Sequence, residues 1–383
     1  MSIFFRIHTD HSRTPISIED QFAGPKPSAC WLVGGGPSLK KLPIEEIAKS
    51  PIPKMCVNLA GTNLFRPQFW TSYDPSIRFH RSIYLDPGVM KFAHVRRAMD
   101  LVPETTFKVC DCPNMLFFER DRKRGFADFL SRKHTNIVDW ADSMVQAIDI
   151  LYHLGFRTIY LAGCEMKIVP SAEQKKRADE GGIQSADFPL MDDFLKECSE
   201  IGLSVEELEQ LQNPEQYHFE EYKPLRAAAG TDRHYFRIVQ YLRLCRRSIS
   251  LAGLNLISVT PKSRLNDHFP YRSIYRVMGE IHRTVGIPEK EETLGLYRQT
   301  EERLPEKIGP MQDLRPLNWS RQNSAPTRRQ KQEPFLWEEG IVIEEEGFEE
   351  VVRPGEINRE RERNLQNEIE KIKHNHIVIN EVG

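Results

Sequence analysis

Between residues 29 and 260, short apolar runs alternate with segments of helical periodicity, the pattern of a parallel sheet covered by helices. Runs rich in Val, Ile, Tyr, Trp and Phe predict strands at 29–33 (ACWLV), 54–58 (KMCVN), 69–73 (FWTSY), 81–85 (RSIYL), 106–110 (TFKVC), 157–163 (RTIYLAG) and 254–260 (LNLISVT). The clearest helix runs from near Asp139 to Leu154. Met144, Ala147, Ile148 and Leu151 recur there at helical spacing, and Gly155 stops the helix just before the next strand. This alternation predicts a doubly wound, mainly parallel α/β sheet.

Three stretches depart from it. Residues 1–28 read as an N-terminal arm. Residues 170–215 are polar, carry Gly181 and Gly182, and interrupt the alternation; they read either as a lid at the carboxyl edge of the sheet or as a tolerated surface excursion. Ser204 followed by Glu207 is a capping-box signature, so part of this insertion forms a helix. From residue 285 to 383 the chain turns charged and proline-rich, the composition of an extended or disordered tail. Within it, residues 357–375 can form one charged helix with a thin stripe of Leu365, Ile369 and Ile372. The catalytic domain is thus expected over 29–284.

The 53 Lys and Arg residues nearly balance 55 Asp and Glu, for a formal net charge of -2. Such a balance gives no reason to expect nucleic acid or an anionic membrane as partner. No apolar stretch reaches the length of a membrane span, and the N-terminal apolar run is too short for a secretion signal. A cytoplasmic protein is the expectation, and seven scattered cysteines fit reduced thiols rather than a disulfide framework. Cys110 and Cys112 form a lone C-x-C without a second pair at zinc-ligand spacing, so no metal site is expected.

The first long strand leaves through Gly34-Gly35-Gly36-Pro37-Ser38. Three glycines are costly to order. The loop is either a tight turn, or a cradle whose amides approach a phosphate, with Ser38 capping the following helix. It fits neither the Walker pattern nor G-x-G-x-x-G.

Taken in order, LVGGGPSLKKL, then Val57-Asn58, then DSMVQAIDILYHLGFRTIYLAGCE, and finally LISVTPKSRL resemble the four sequence blocks of bacterial sialyltransferases of glycosyltransferase family 42. They equally resemble the related family that includes the archaeal 6-hydroxymethylpterin diphosphokinase. The resemblance spans about residues 29 to 275 and implies a Rossmann-like α/β domain. It implies that Gly34 to Ser38 meet nucleotide phosphates, that Asn58 hydrogen-bonds the nucleotide, and that Ser143 is a second phosphate contact. Without it, Ser143 reads as a solvent-facing helix residue. It further implies that His234, in DRHYF, is the general base for an acceptor hydroxyl, and that Lys262 and Ser263 close over the nucleotide. The plain alternative for His234 is an exposed helix residue among arginines.

The chain departs from the family at points that matter. Gly35 stands where the family has asparagine, and Gly163-Cys164-Glu165 replaces Gly-x-Asp, keeping a carboxylate one methylene longer. The tyrosines that follow in the sialyltransferases are missing from MKIVPSAEQKK. Asp74 ends a strand and is either an edge carboxylate or a turn residue before Pro75. The expected activity is transfer of a sugar from a nucleotide-sugar donor to an acceptor hydroxyl, with no obligatory cofactor. Two alternatives stand beside it: an ATP- and magnesium-dependent diphosphokinase, and an inactive domain that binds a nucleotide or, through its tail, a protein partner.

Overall fold

The computed structural model describes residues 2–24, 28–60, 65–79, 81–122, 124–183, 188–213, 216–219, 222–285, 341–345 and 348–352. The chain divides into two units, 1–320 and 321–383. In the first, the elements follow as β1 (Phe4–Ile7), β2 (Arg13–Ile16), β3 (Ala29–Val33), α1 (Ile44–Lys49), β4 (Lys54–Val57), β5 (Phe69–Thr71), α2 (Arg81–Leu85), β6 (Met90–His94), β7 (Met115–Phe118), β8 (Arg120–Asp121), β9 (Ile137–Val138) and α3 (Ser143–His153). After them come β10 (Thr158–Ala162), α4 (Ala172–Glu180), α5 (Met191–Glu200), α6 (Val205–Gln210), α7 (Leu225–Leu244), α8 (Arg246–Leu251), β11 (Asn255–Ser258) and α9 (Ile274–Val285). The second unit is described by one antiparallel hairpin, β12 (Ile341–Glu345) with β13 (Phe348–Val352). The helix expected over 357–375 lies outside the described residues, as does most of the tail.

Nine of these strands form one sheet in the order β11-β10-β3-β4-β5-β6-β7-β1-β2. From β11 to β7 every pairing is parallel, while β1 and β2 complete the edge antiparallel, with Phe5 opposite Phe117. The first 28 residues are therefore partly built into the sheet. Alternation along the strands fills two cores. Cys30, Leu32, Met55, Val57, Ile159 and Leu161 pack against α3, α7 and α8, whereas Trp31, Val33, Cys56, Tyr160 and Ala162 pack against α1, α2 and α9. The result is a mainly parallel α/β sheet with helices on both faces.

Two strand expectations fail. Residues 81–85 form α2, because burying Ile83 and Tyr84 against the sheet, with Tyr84 edge-on to Trp70, overrides their strand propensity. Residues 106–110 give instead only a bend, an isolated antiparallel bridge of Lys108 to Leu101 and the start of a 3-10 turn, and only Val109 and Cys110 are buried among 107–110. The strands that fill these places are β6 and β7. The pattern of β6 is masked by Lys91, a charged residue buried completely at its second position.

α3 begins at Ser143 rather than near Asp139. Asp142 caps it, its Oδ1 accepting from the amides of Met144 and Val145, each at 2.9 Å. Gly155 ends it with a φ of +108°, and a Cβ there would sit 2.5 Å from the amide of Ala23. The insertion over 170–215 carries α4, α5 and α6, which bury Ala178, Phe194, Cys198 and Leu208 against the first turns of α7. The Ser204–Glu207 capping box is present and a second one, Ser171–Gln174, opens α4.

Candidate functional site

The chain runs from β3 to β4 in one direction across the sheet, while β10 enters on the other side of β3. In open α/β sheets ligands bind at such a reversal, beyond the carboxyl ends of the strands. Gly34–Ser38 leaves β3 at that point and packs on Gly163–Glu165, which leaves β10. A Cβ on Gly34 would lie 2.5 Å from the carbonyl oxygen of Gly163, one on Gly35 2.2 Å from His218 Nε2, and one on Gly36 1.4 Å from Glu165 Oε2. Close packing on three neighbours is what the glycines serve here.

Several loop amides are engaged within the chain. Gly34 donates to Ala162 O at 2.8 Å, Gly36 to Gly163 O at 2.9 Å, and Ser38 to Glu165 Oε1 at 2.6 Å. Pro37–Lys40 is a single 3-10 turn whose N-cap is Gly36, so Ser38 lies inside it and does not cap it through its hydroxyl. The Glu165 carboxylate takes the anion position on the Ser38 amide. Among the described residues, its Oε2 and the Ser38 Oγ are both buried without a hydrogen-bond partner.

Asn58 and Ser143 meet beside this loop. Asn58 Oδ1 accepts from Ser143 Oγ at 2.9 Å and from Ser72 Oγ at 2.7 Å, and Ser143 Oγ in turn accepts from the amide of Tyr73. Ser143 is thus buried rather than solvent-facing. Gln146 joins the network through Thr71 and receives Arg120, whose guanidinium stacks 3.8 Å from the Tyr73 ring centroid. Asp74 donates its amide to Ser72 Oγ, and its carboxylate pairs with Arg78.

His234, on α7, faces the start of α3. Its Nε2 lies 3.6 Å from Asp142 Oδ2, with the two side chains 16 % and 10 % exposed. Beside His234 on α7, the partly buried Tyr235 has its phenol pushed up by burial first and by Tyr217 next, ahead of Asp142 and Glu165. His218 seals Gly35: burial, then Arg78 and Lys223, push its imidazole down to about 3, so it is neutral at physiological pH. The Phe219 amide donates to Gly35 O at 3.2 Å.

At the ends of β10 and β11, Ser263 Oγ donates to Cys164 O at 2.6 Å and pins the Gly163–Glu165 segment. Lys262 is exposed, and it lies with Arg264 near the half-buried Lys167, whose ammonium is lowered chiefly by burial. Four non-glycine residues at this edge have left-handed backbone: Asn58 (φ 54°), Ala141 (51°), Met166 (51°) and Lys262 (58°). Such conformations cost about 1–2 kcal/mol each for most side chains and concentrate at functional sites. Among the described residues no group of three or more His, Cys, Asp or Glu is placed to hold a metal ion, and all seven cysteines are buried thiols.

The structure therefore brings Gly34–Ser38, Asn58, Ser143, Gly163, Glu165, His234 and Ser263 to one edge of the sheet. Asp142, Arg120, Gln146 and His218 escaped sequence reading. Only Asp142 carried a signal, the Asp-Ser pair that opens a helix. The chain matches no family model, no curated protein and no solved structure, and no helix of the described residues is long and apolar enough to cross a membrane.

Proposed function

We propose that the protein is a transferase with a Rossmann-like catalytic domain, moving a group, most simply a sugar, from a nucleotide-activated donor to an acceptor hydroxyl. The observation that carries this reading is the His234–Asp142 pair at the carboxyl edge of the sheet. With Nε2 turned to Asp142, Nδ1 is the nitrogen left to take the acceptor's proton, and the carboxylate stabilises the imidazolium that results. The oxygen so bared attacks the donor carbon, and the nucleotide leaves with its phosphate against Lys262 and Lys167. Segment 216–219 serves as the cover over the glycine loop.

The test is thermal stability of the full chain against CMP, UDP, GDP and ATP, each with magnesium and with chelator, followed by hydrolysis of the nucleotide sugar that binds. A nucleotide that binds the native state raises the melting temperature. A metal-independent rise supports this reading, and a rise with ATP and magnesium alone supports the diphosphokinase. In His234→Ala, turnover should fall on the order of a hundredfold with nucleotide binding retained; unchanged turnover removes the role.

A further inference from the structure

We infer that Glu165 and Ser38 recognise a vicinal pair of hydroxyls on the ligand, and that the glycine loop is not its phosphate cradle. A phosphate cradle needs free amides and a positive field. Here the amides of Gly34, Gly36 and Ser38 are all hydrogen-bonded within the chain, and the group on the Ser38 amide is itself a carboxylate. A phosphate brought to this loop meets like charge and no open donor from these three residues.

What the loop lacks is the opposite. Among the described residues, Glu165 Oε2 is a buried acceptor without a donor, and Ser38 Oγ is a buried hydroxyl without a partner. An unsatisfied buried carboxylate oxygen is costly and rare in folded proteins, so a ligand group that supplies its hydrogen is called for. No metal-holding group of three or more His, Cys, Asp or Glu occurs among the described residues. A neutral hydroxyl pair meets the need without adding charge: one hydroxyl donates to Glu165 Oε2 and its neighbour exchanges a hydrogen bond with Ser38 Oγ. Glu165 is already aligned by the Ser38 amide, and the Gly163–Glu165 backbone is fixed by Ser263 and by the amide of Arg264 donating to Glu165 O at 2.9 Å. Such hydroxyls occur on the ribose of a nucleotide and on the ring of an activated sugar.

This inference rests on the nucleotide-donor reading, and the experiment separates their failures. Dissociation constants are measured by calorimetry for UDP, 2′,3′-dideoxy-UDP and UDP-glucose, with CMP and GDP counterparts, on wild type and on Glu165→Gln. Glu165→Gln is nearly isosteric, and Ser38→Ala is the second variant should it melt early. If the ribose is read, Glu165→Gln weakens the ribonucleotide about ten- to hundredfold and leaves the dideoxy compound unchanged. If the sugar is read, only the nucleotide sugar weakens. Tighter binding of every phosphate compound to Glu165→Gln would show that the carboxylate merely stands in a phosphate's place, and equal binding throughout would show no contact; either overturns the inference while the nucleotide reading stands. If none of the compounds binds wild type, both fall.

Discussion

Asp142 and His234 share one carboxylate between two tasks: Oδ1 holds the first free amides of α3 and Oδ2 lies 3.6 Å from the imidazole. Substitutions separate the two. Asparagine caps helices as well as aspartate does, so Asp142→Asn should leave the urea midpoint nearly unchanged, whereas Asp142→Ala should cost about 1 kcal/mol. Both variants lose the carboxylate that faces the His234 imidazole, so under the proposed mechanism turnover should drop at least about tenfold in each. Full activity in Asp142→Asn would reduce the pair to a capping accident.

The glycine loop yields a second prediction, because its three residues meet different neighbours. Gly34→Ala drives a methyl into the backbone oxygen of Gly163, which cannot rotate away, and should destabilise by about 2 kcal/mol or more. Gly35→Ala collides only with the His218 ring. His218→Ala should therefore relieve it: the double variant should be more stable than the two single losses predict, by about 1 kcal/mol in a double-mutant cycle from urea unfolding. Simple additivity would mean that His218 does not sit on Gly35.

Much of this arrangement was legible where a residue's reason is local. β3, β10 and β11 announce themselves as apolar β-branched or aromatic runs, and α3 by period and by Gly155. β6 was not legible, since its second residue, Lys91, is buried and donates its ammonium hydrogens to the carbonyls of Asp86 and Val89 in the turn before it. The family resemblance implied nucleotide contacts for Gly34–Ser38, Asn58 and Ser143, beside the plainer readings of a tight turn and a solvent-facing helix residue. Their actual partners, Glu165 for Ser38 and Asn58 for Ser143, depend on which strand neighbours which. The His234–Asp142 pair is of the same kind, joining α7 to α3 across a long stretch of chain.

Lys91 supplies the third prediction. Burial drives its ammonium down to about 7, against the partial help of Asp86, while its Nζ donates to the carbonyls of Asp86 and Val89. In the unfolded chain the same group titrates near 10.4. Between these values the unfolded state binds more protons, so stability rises with pH through the window; below it both states are protonated and the burial cost is fully present. The buried thiols act oppositely, because Cys30, Cys56 and Cys164 are pushed up by burial and ionise on unfolding once pH passes about 8.5. The clean interval is therefore pH 7 to 8, where unfolding free energy from urea should rise by about 1 kcal/mol. Lys91→Met removes the titrating group and should flatten that rise, and a slope that survives in the variant would assign it to some other residue.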